Sequence, residues 1–319
     1  MALLPYIIFA GGLVALVFGG DWLVKGAVAL AERFSVPPLV IGLTIVAFGT
    51  SAPELVISLQ AALSGSGALA IGNVVGSNIA NVLLVLGAPA LIAVISSNEA
   101  GLKRSLFYLM AVTALFVFEL QSGEINRWNG LLLLGCLALF LAQQFLVARN
   151  DGVAPLTGGD DYHDELGPLP KSMGRTLLLL LAGIITLPLA AHFTVSSAVT
   201  IAEQWMVPEE VIGLTIVAIG TSLPELATGI SAARNGNSAV GIGNVIGSNF
   251  FNIAAIIGIT AVITPIPVGA HVLKFDIWAM VLTTVLLIAF PLFRLQIGRG
   301  LGALLLLSYV GYLAFTVAL

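Results

Sequence analysis

Residues Gly42 to Asn81 read GLTIVAFGTSAPELVISLQAALSGSGALAIGNVVGSNIAN, and the same text returns at Gly213 to Asn252 as GLTIVAIGTSLPELATGISAARNGNSAVGIGNVIGSNFFN. The offset is a constant 171 residues, and 24 of the 40 aligned positions are identical. The chain is a duplication. Each copy sets one carboxylate, Glu54 or Glu225, directly after a proline and beside Thr and Ser, in otherwise apolar sequence. At the centre of a membrane helix a carboxylate costs about 2.5–3.5 kcal/mol even on the lenient insertion scale, so a matched pair points to a functional site.

Working outward, the surroundings of the repeats are apolar throughout. Hydrophobic residues make up 59% of the 319, charged residues only 9%, and the mean hydropathy is +1.08. A soluble domain carries about 25% charged residues, so the composition excludes one and leaves no room for a soluble catalytic module. The N-terminal MALLPYIIFAGG lacks a basic stretch and a small-residue cleavage site, and is expected to be the first span. The single cysteine, Cys136, excludes an intrachain disulfide.

Apolar runs predict ten spans, at 4–33, 37–63, 69–95, 102–120, 128–148, 174–201, 208–234, 239–264, 273–293 and 300–318. Five spans per copy is an odd number, so the second copy must enter the membrane from the opposite side. The expected fold is an all-α membrane protein of ten transmembrane helices in two inverted-topology repeats of five, with broken helices at the midplane. Residues 1–148 form the first repeat, 149–173 an acidic linker and 174–319 the second. Arg33, Lys103, Arg104, Arg149, Lys171, Arg175, Arg234, Arg294 and Arg299 fall in loops after odd-numbered spans, and Lys25 leans the same way; only Arg127 and Lys274 follow even-numbered ones. The positive-inside rule then puts both termini outside and the central loop in the cytoplasm of a plasma (inner) membrane protein. The linker's Asp160, Asp161, Asp164, Glu165 and His163 lack EF-hand spacing and read as a solvated connector.

Each copy runs a helix into GTSxPE, residues 49–54 and 220–225. A proline withholds an N–H and clashes with the carbonyl four residues back, which predicts breaks at Gly49 and Gly220 and leaves carbonyls near Ala47 to Thr50 and Ala218 to Thr221 without helix partners. Such backbone is tolerated at membrane depth only where protein, water or an ion satisfies it. In the following helix Ser77 and Asn81 lie four residues apart on one face, as do Ser248 and Asn252. Asn73 either joins that face or hydrogen-bonds a neighbouring helix. The donors are all hard oxygens, as calcium and sodium require, and no Cys, His or Met occurs in either copy to favour zinc, copper or iron. Two Glu supply a charge of −2, which one divalent cation neutralises, or sodium ions in twos or more.

At these residues the sequence resembles the sodium/calcium exchanger branch of the calcium/cation antiporter family, prokaryotic type. The paired GTSxPE and GSNxxN motifs carry the resemblance. It implies an antiporter, not an enzyme, that exchanges Na+ for Ca2+ by alternating access, with no cofactor, the lipid bilayer as its medium, and no nucleic acid or obligate protein partner. It further implies that the ions are held by Thr50, Ser51, Glu54, Ser77 and Asn81 with the Ala47 carbonyl, and by Thr221, Ser222, Glu225, Ser248 and Asn252 with the Ala218 carbonyl. Calcium is then held mainly by the two Glu, and the first and sixth spans slide as a pair. Some relatives carry an acidic residue where this chain has Asn252, and the lower charge here disfavours potassium coupling.

Two other functions share these residues. In a proton-coupled calcium or cation exchanger, protonation of Glu54 or Glu225 replaces sodium; an intramembrane enzyme would use the two Glu as acid and base, but no nucleophile or metal cluster accompanies them. Outside the repeats, Asp21 and Lys25 are spaced for an i,i+4 ion pair, and His192 stands at the position equivalent to Asp21.

Overall fold

Prolines stand in the first turn of several helices. The computed structural model describes residues 3–150, 169–206, 218–269 and 272–318. The central part of the linker, including its acidic residues and His163, lies outside the described residues, as do 207–217, which include the start of the second copy. Pro5 opens α1 (Leu4–Phe34), which stops at Ser35, a residue in the left-handed region (φ 51°) whose N–H closes on Glu32. The chain continues through α2 (Pro38–Thr50), α3 (Ala52–Leu63), α4 (Gly67–Ile92), α5 (Leu102–Leu120) and α6 (Arg127–Asn150). The second copy holds α7 (Met173–Gln204), α8 (Ala218–Thr221), α9 (Leu223–Arg234), α10 (Ser238–Ile263), α11 (Val272–Leu292) and α12 (Arg299–Ala318). Ser172 caps α7, its Oγ accepting the Arg175 N–H at 3.3 Å.

Among the described residues seven helices are long and apolar enough to cross a membrane, or eight if the bent pair α2–α3 is one span. Burial ranks them. The most apolar windows of α4 and α10 are 72% and 83% buried, against 17–39% for the other single helices. So α4 and α10 are the central pair, and Phe107, Trp128 and Leu307 on outer helices present large apolar side chains outward. The larger core joins Ile71 and Ile79 of α4, Leu109 of α5 and Phe250 of α10; a second joins Leu23 and Ala27 of α1 to Leu180 and Leu187 of α7.

Contacts between the copies come in reciprocal pairs. The helices α1 and α7 run antiparallel, with Gly12 against Thr194 and Gly26 against Leu180. A Cβ on Gly12 would strike Thr194, and a Cβ on Gly183 would fall 2.7 Å from the Leu23 backbone nitrogen; Gly183 is the repeat equivalent of Gly12, and Thr194 that of Leu23. Likewise Gly87 of α4 packs on Gly302 of α12, while its equivalent Gly258 of α10 packs on Gly130 of α6. Two short antiparallel pairings repeat the pattern: β1 (Glu124–Ile125) sets Ile125 opposite Ile266 of β2 (Ile266–Pro267), and Ile95 pairs with Ile297. The halves are thereby interleaved, the fourth helix of each (α4 or α10) lying against the last helix of the other (α12 or α6).

Small residues let these backbones approach closely, which is how membrane helices associate without a hydrophobic driving force. Gly183→Ala forces an added methyl onto the Leu23 backbone, an overpacking expected to cost about 1–3 kcal/mol. It should lower the thermal midpoint of the detergent-solubilised protein by several degrees. Gly135→Ala, whose methyl meets nothing within 4 Å, should leave the midpoint level or raise it, since Ala favours a helix by about 1 kcal/mol.

Candidate ion-binding site between the two copies

The predicted helix breaks are present but lie two residues further on. The axis bends by 46° between α2 and α3, at Ser51, and α8 gives way to α9 at Ser222. Pro53 and Pro224 sit in the first turn of the new helices, where an N–H has no intrahelical partner to lose, so the proline starts a helix instead of interrupting one. The expectation that carbonyls before the break lack partners is corrected in part. The Ala47 carbonyl accepts the Ser51 N–H at 3.0 Å and Thr50 Oγ1 at 3.3 Å, and the Ile219 carbonyl accepts the Ser222 N–H at 3.1 Å.

This geometry places Glu54 and Glu225 in the first turns of α3 and α9, each about 1% exposed, where the helix N-terminus favours negative charge. Thr50, Ser51, Ser77, Asn81, Ser222, Ser248 and Asn252 are buried with them. Thr221 is half-buried, Ala47 is buried, and the side chain of Ala218 lies outside the described residues.

The structure joins several of these groups across the copies. Ser51 Oγ donates to Glu225 Oε1 at 3.2 Å, and Thr50 Oγ1 lies 3.1 Å from Asn244 Oδ1 and 3.4 Å from Ser248 Oγ. This closeness depends on Gly243 and Gly247 of α10, where a Cβ would meet the Leu39 and Leu43 carbonyls of α2 at 2.7 and 2.6 Å. Asn81 Nδ2 donates to Asn249 Oδ1 at 3.0 Å, and Asn252 Nδ2 to Asn78 Oδ1 at 2.9 Å. Asn73 donates to Ser58 Oγ at 3.0 Å, the helix-to-helix alternative.

What remains after these bonds is a set of buried oxygens, together with one unpaired amide nitrogen, Asn244 Nδ2. Glu54 Oε2, Glu225 Oε2, Asn81 Oδ1, Asn252 Oδ1 and Ser222 Oγ have no hydrogen-bond partner among the described residues. A buried acceptor left unmade costs about 1–3 kcal/mol, and more when charged. Five such atoms, contributed by both copies and all hard donors, make a surface that a cation can satisfy. Among the described residues no group of three or more His, Cys, Asp and Glu could hold a metal, so the donor set is two carboxylates supplemented by neutral oxygens.

Sequence reasoning missed Asn78, Asn249 and Asn244, which hold the candidate ligands in place. The signal was available, since all three lie in the stretch GNVxGSN that both copies share. The helix winding was also not foreseen: the backbone widens into a π turn at Asn81–Val85 and at Asn252–Ile257, each opening on a candidate ligand. Such bulges cluster at functional sites. The i,i+4 pairing of Asp21 with Lys25 gives way to a bond across helices, Ser231 Oγ to Asp21 Oδ1 at 2.5 Å, beside a cavity of about 190 Å³ lined by Leu13, Val17, Ile230 and Arg234. A short hydroxyl on a packed helix loses less side-chain entropy than a long lysine. His192 is exposed, its ring edge-on to Phe193.

Comparison with known proteins identifies the family. The model of the sodium/calcium exchanger protein family matches residues 4–146 and 175–318. The inner membrane protein YrbG of Escherichia coli (strain K12) is 37% identical over 307 residues, covering 95% of this chain and 94% of its own. The sodium/calcium exchanger MaX1 of Methanosarcina acetivorans is 33% identical over 348 residues, covering 98% of each chain. A structure of the sodium-calcium exchanger NCX_Mj soaked with 2.5 mM Na+ and 0.1 mM Ca2+ superposes with a TM-score of 0.83 at 31% identity, over 98% of this chain and 99% of that one. With its apolar helices and its duplicated motif, this multi-pass integral membrane protein belongs to the sodium/calcium exchanger family.

Proposed function

We propose that the chain is a secondary antiporter that exchanges Na+ for Ca2+ by alternating access, binding the ions between its two copies. The observation that carries this reading is the set of five buried oxygens without hydrogen-bond partners, drawn from Glu54 and Asn81 of one copy and Ser222, Glu225 and Asn252 of the other. The proposed ligands are Thr50, Ser51, Glu54, Ser77 and Asn81 with the Ala47 carbonyl, and Thr221, Ser222, Glu225, Ser248 and Asn252 with the Ala218 carbonyl. The Ala47 carbonyl accepts the Ser51 N–H, and its second lone pair is open to an ion when the single Thr50 hydroxyl proton goes to Asn244 Oδ1 at 3.1 Å in place of Ala47.

Coupling follows from charge. One Ca2+ neutralises Glu54 and Glu225, and Na+ does so in twos or more on the same oxygens. Leaving both carboxylates buried and uncompensated is costly, so the empty protein does not change face readily, whereas either loaded form can. Exchange is the consequence of that competition.

The architecture we assign is ten spans in two inverted repeats, residues 1–148 and 174–319, with the linker 149–173 on the cytoplasmic side and both termini outside. The antiparallel seam of α1 and α7 and the reciprocal contacts at Gly87–Gly302 and Gly258–Gly130 support an inverted pair. The distribution of Lys and Arg supports the orientation. Because α1 and α7 meet closely through glycines from Gly12 to Gly26 of α1, they are suited to slide together past the core.

The test is 45Ca2+ uptake into proteoliposomes loaded with Na+, Li+ or K+, with and without an imposed proton gradient. Uptake that requires internal Na+ is expected. Uptake driven by the proton gradient alone would transfer the coupling to protonation of the carboxylates, and absence of flux under every gradient would remove the antiport reading.

A further inference from the structure

Asn78 of α4 and Asn249 of α10 are repeat equivalents, each about 1% exposed, and neither belongs to the proposed ligand set. Their amides are oriented by groups that cannot be reversed. Asn78 Nδ2 donates to the Asn249 backbone carbonyl at 3.3 Å, and Asn249 Nδ2 to the Asn78 carbonyl at 3.3 Å. A carbonyl oxygen only accepts, so each Nδ2 must face it and each Oδ1 must face away. Those Oδ1 atoms, in turn, only accept. Asn78 Oδ1 takes Asn252 Nδ2 and Asn249 Oδ1 takes Asn81 Nδ2.

The orientation therefore propagates one residue further. The NH2 groups of Asn81 and Asn252 are committed to the opposite copy, and their Oδ1 atoms are the free ends, buried and without hydrogen-bond partners. We propose that Asn78 and Asn249 are positioning residues that turn the amide oxygens of Asn252 and Asn81, ligands of the opposite copy, toward the transported cation. The inference rests on the antiport reading of this site. An amide reversed at either ligand would aim its NH2 at a cation and set oxygen against oxygen at Asn78 or Asn249, so reversal removes a ligand and a hydrogen bond together. Affinity is then set across the copies: Asn78 acts through Asn252, and Asn249 through Asn81.

A double-mutant cycle on the full chain in proteoliposomes reads this directly, with the calcium KM as the measured quantity. Asn78→Ala and Asn249→Ala should each raise the KM about tenfold, the effect of one oriented hydrogen bond, with a smaller change in kcat. In an Asn252→Ala background Asn78→Ala should add nothing further, while in an Asn81→Ala background its effect should multiply; Asn249→Ala should behave in the converse way. A purely structural role would multiply in every background and move thermal midpoints in step with KM. Multiplicative effects in all four pairs, or coupling confined to 78 with 81 and 249 with 252, would overturn the proposal. An alanine variant that does not assemble is replaced by leucine, which fills a similar volume without donor or acceptor. Wild-type exchange tests the antiport reading separately; if it is absent, the same cycle is read from Ca2+ binding to the purified protein by calorimetry.

Discussion

Glu54→Gln and Glu225→Gln are each expected to cut sodium-driven calcium flux at least about a hundredfold while the protein still reaches the membrane and purifies as a monodisperse species. Glutamine preserves shape and one oxygen but removes the charge. Both carboxylates are about 1% exposed and each has an Oε2 without a hydrogen bond, so solvent cannot stand in for the missing charge. Breaking a buried ionic interaction by removing one partner costs about 3–5 kcal/mol, which corresponds to about two to four decades of affinity. Assembly should be preserved, since the apo protein loses an uncompensated buried charge, a change that favours folding. Glu225 also accepts from Ser51, and the glutamine of the Glu225→Gln variant keeps an oxygen for that bond. Flux within tenfold of wild type in either variant would exclude that residue as a principal ligand.

Pro53→Ala should reduce the exchange rate by about ten- to a hundredfold. Proline in a helix interior is disfavoured by about 3 kcal/mol relative to Ala, and this penalty keeps α2 and α3 from fusing across Ser51. Removing it restores an N–H that can reach the Gly49 carbonyl and shifts the equilibrium between bent and straight helix by up to about a hundredfold. A straight helix cancels the 46° bend and carries Glu54 off the N-terminal turn that now positions it. Calcium uptake gives the rate, and slower hydrogen exchange of the Ala52 and Glu54 amides reports the fused helix, since the Leu55 amide already bonds the Ser51 carbonyl. An unchanged calcium exchange rate together with newly protected amides at Ala52 and Glu54 would show that the break is dispensable. Pro224→Ala tests the second copy in the same way.

The helices themselves were legible in the sequence, because apolar run length is set by membrane thickness and varies little. The span expected at 102–120 coincides with α5, and 4–33 with α1 to within one residue. The site was legible through identity between the copies, which marked Glu54 and Glu225 before any contact was known. A proline that interrupts a helix sets the break four residues back, at Gly49 or Gly220, whereas Pro53 and Pro224 each begin a helix, which moves the break two residues on to Ser51 and Ser222. Nor could spacing along a single helix reveal that Asn78 meets Asn252, or that α4 lies against α12. Those pairings depend on how the halves interleave, and periodicity describes a helix and its faces, never its partner. The π turns at Asn81 and Asn252 escaped notice for a related reason: one extra residue in a turn leaves no mark on composition.

The reciprocal glycine contacts carry an implication about origin. One half supplies Gly12 and Leu23 to the α1–α7 seam, and the other supplies Gly183 and Thr194 at the same two positions. A seam of that kind is isologous: a single unfused half already owns both mating surfaces, so two identical copies could dock about a two-fold axis and close the assembly as a dimer. In such a dimer every substitution is made twice. Once the halves share a chain, each side is free to change alone, and Asp21 marks where that has happened. Its bond to Ser231 has no mirror image, because His192 stands in the place of Asp21 and Gln60 in the place of Ser231.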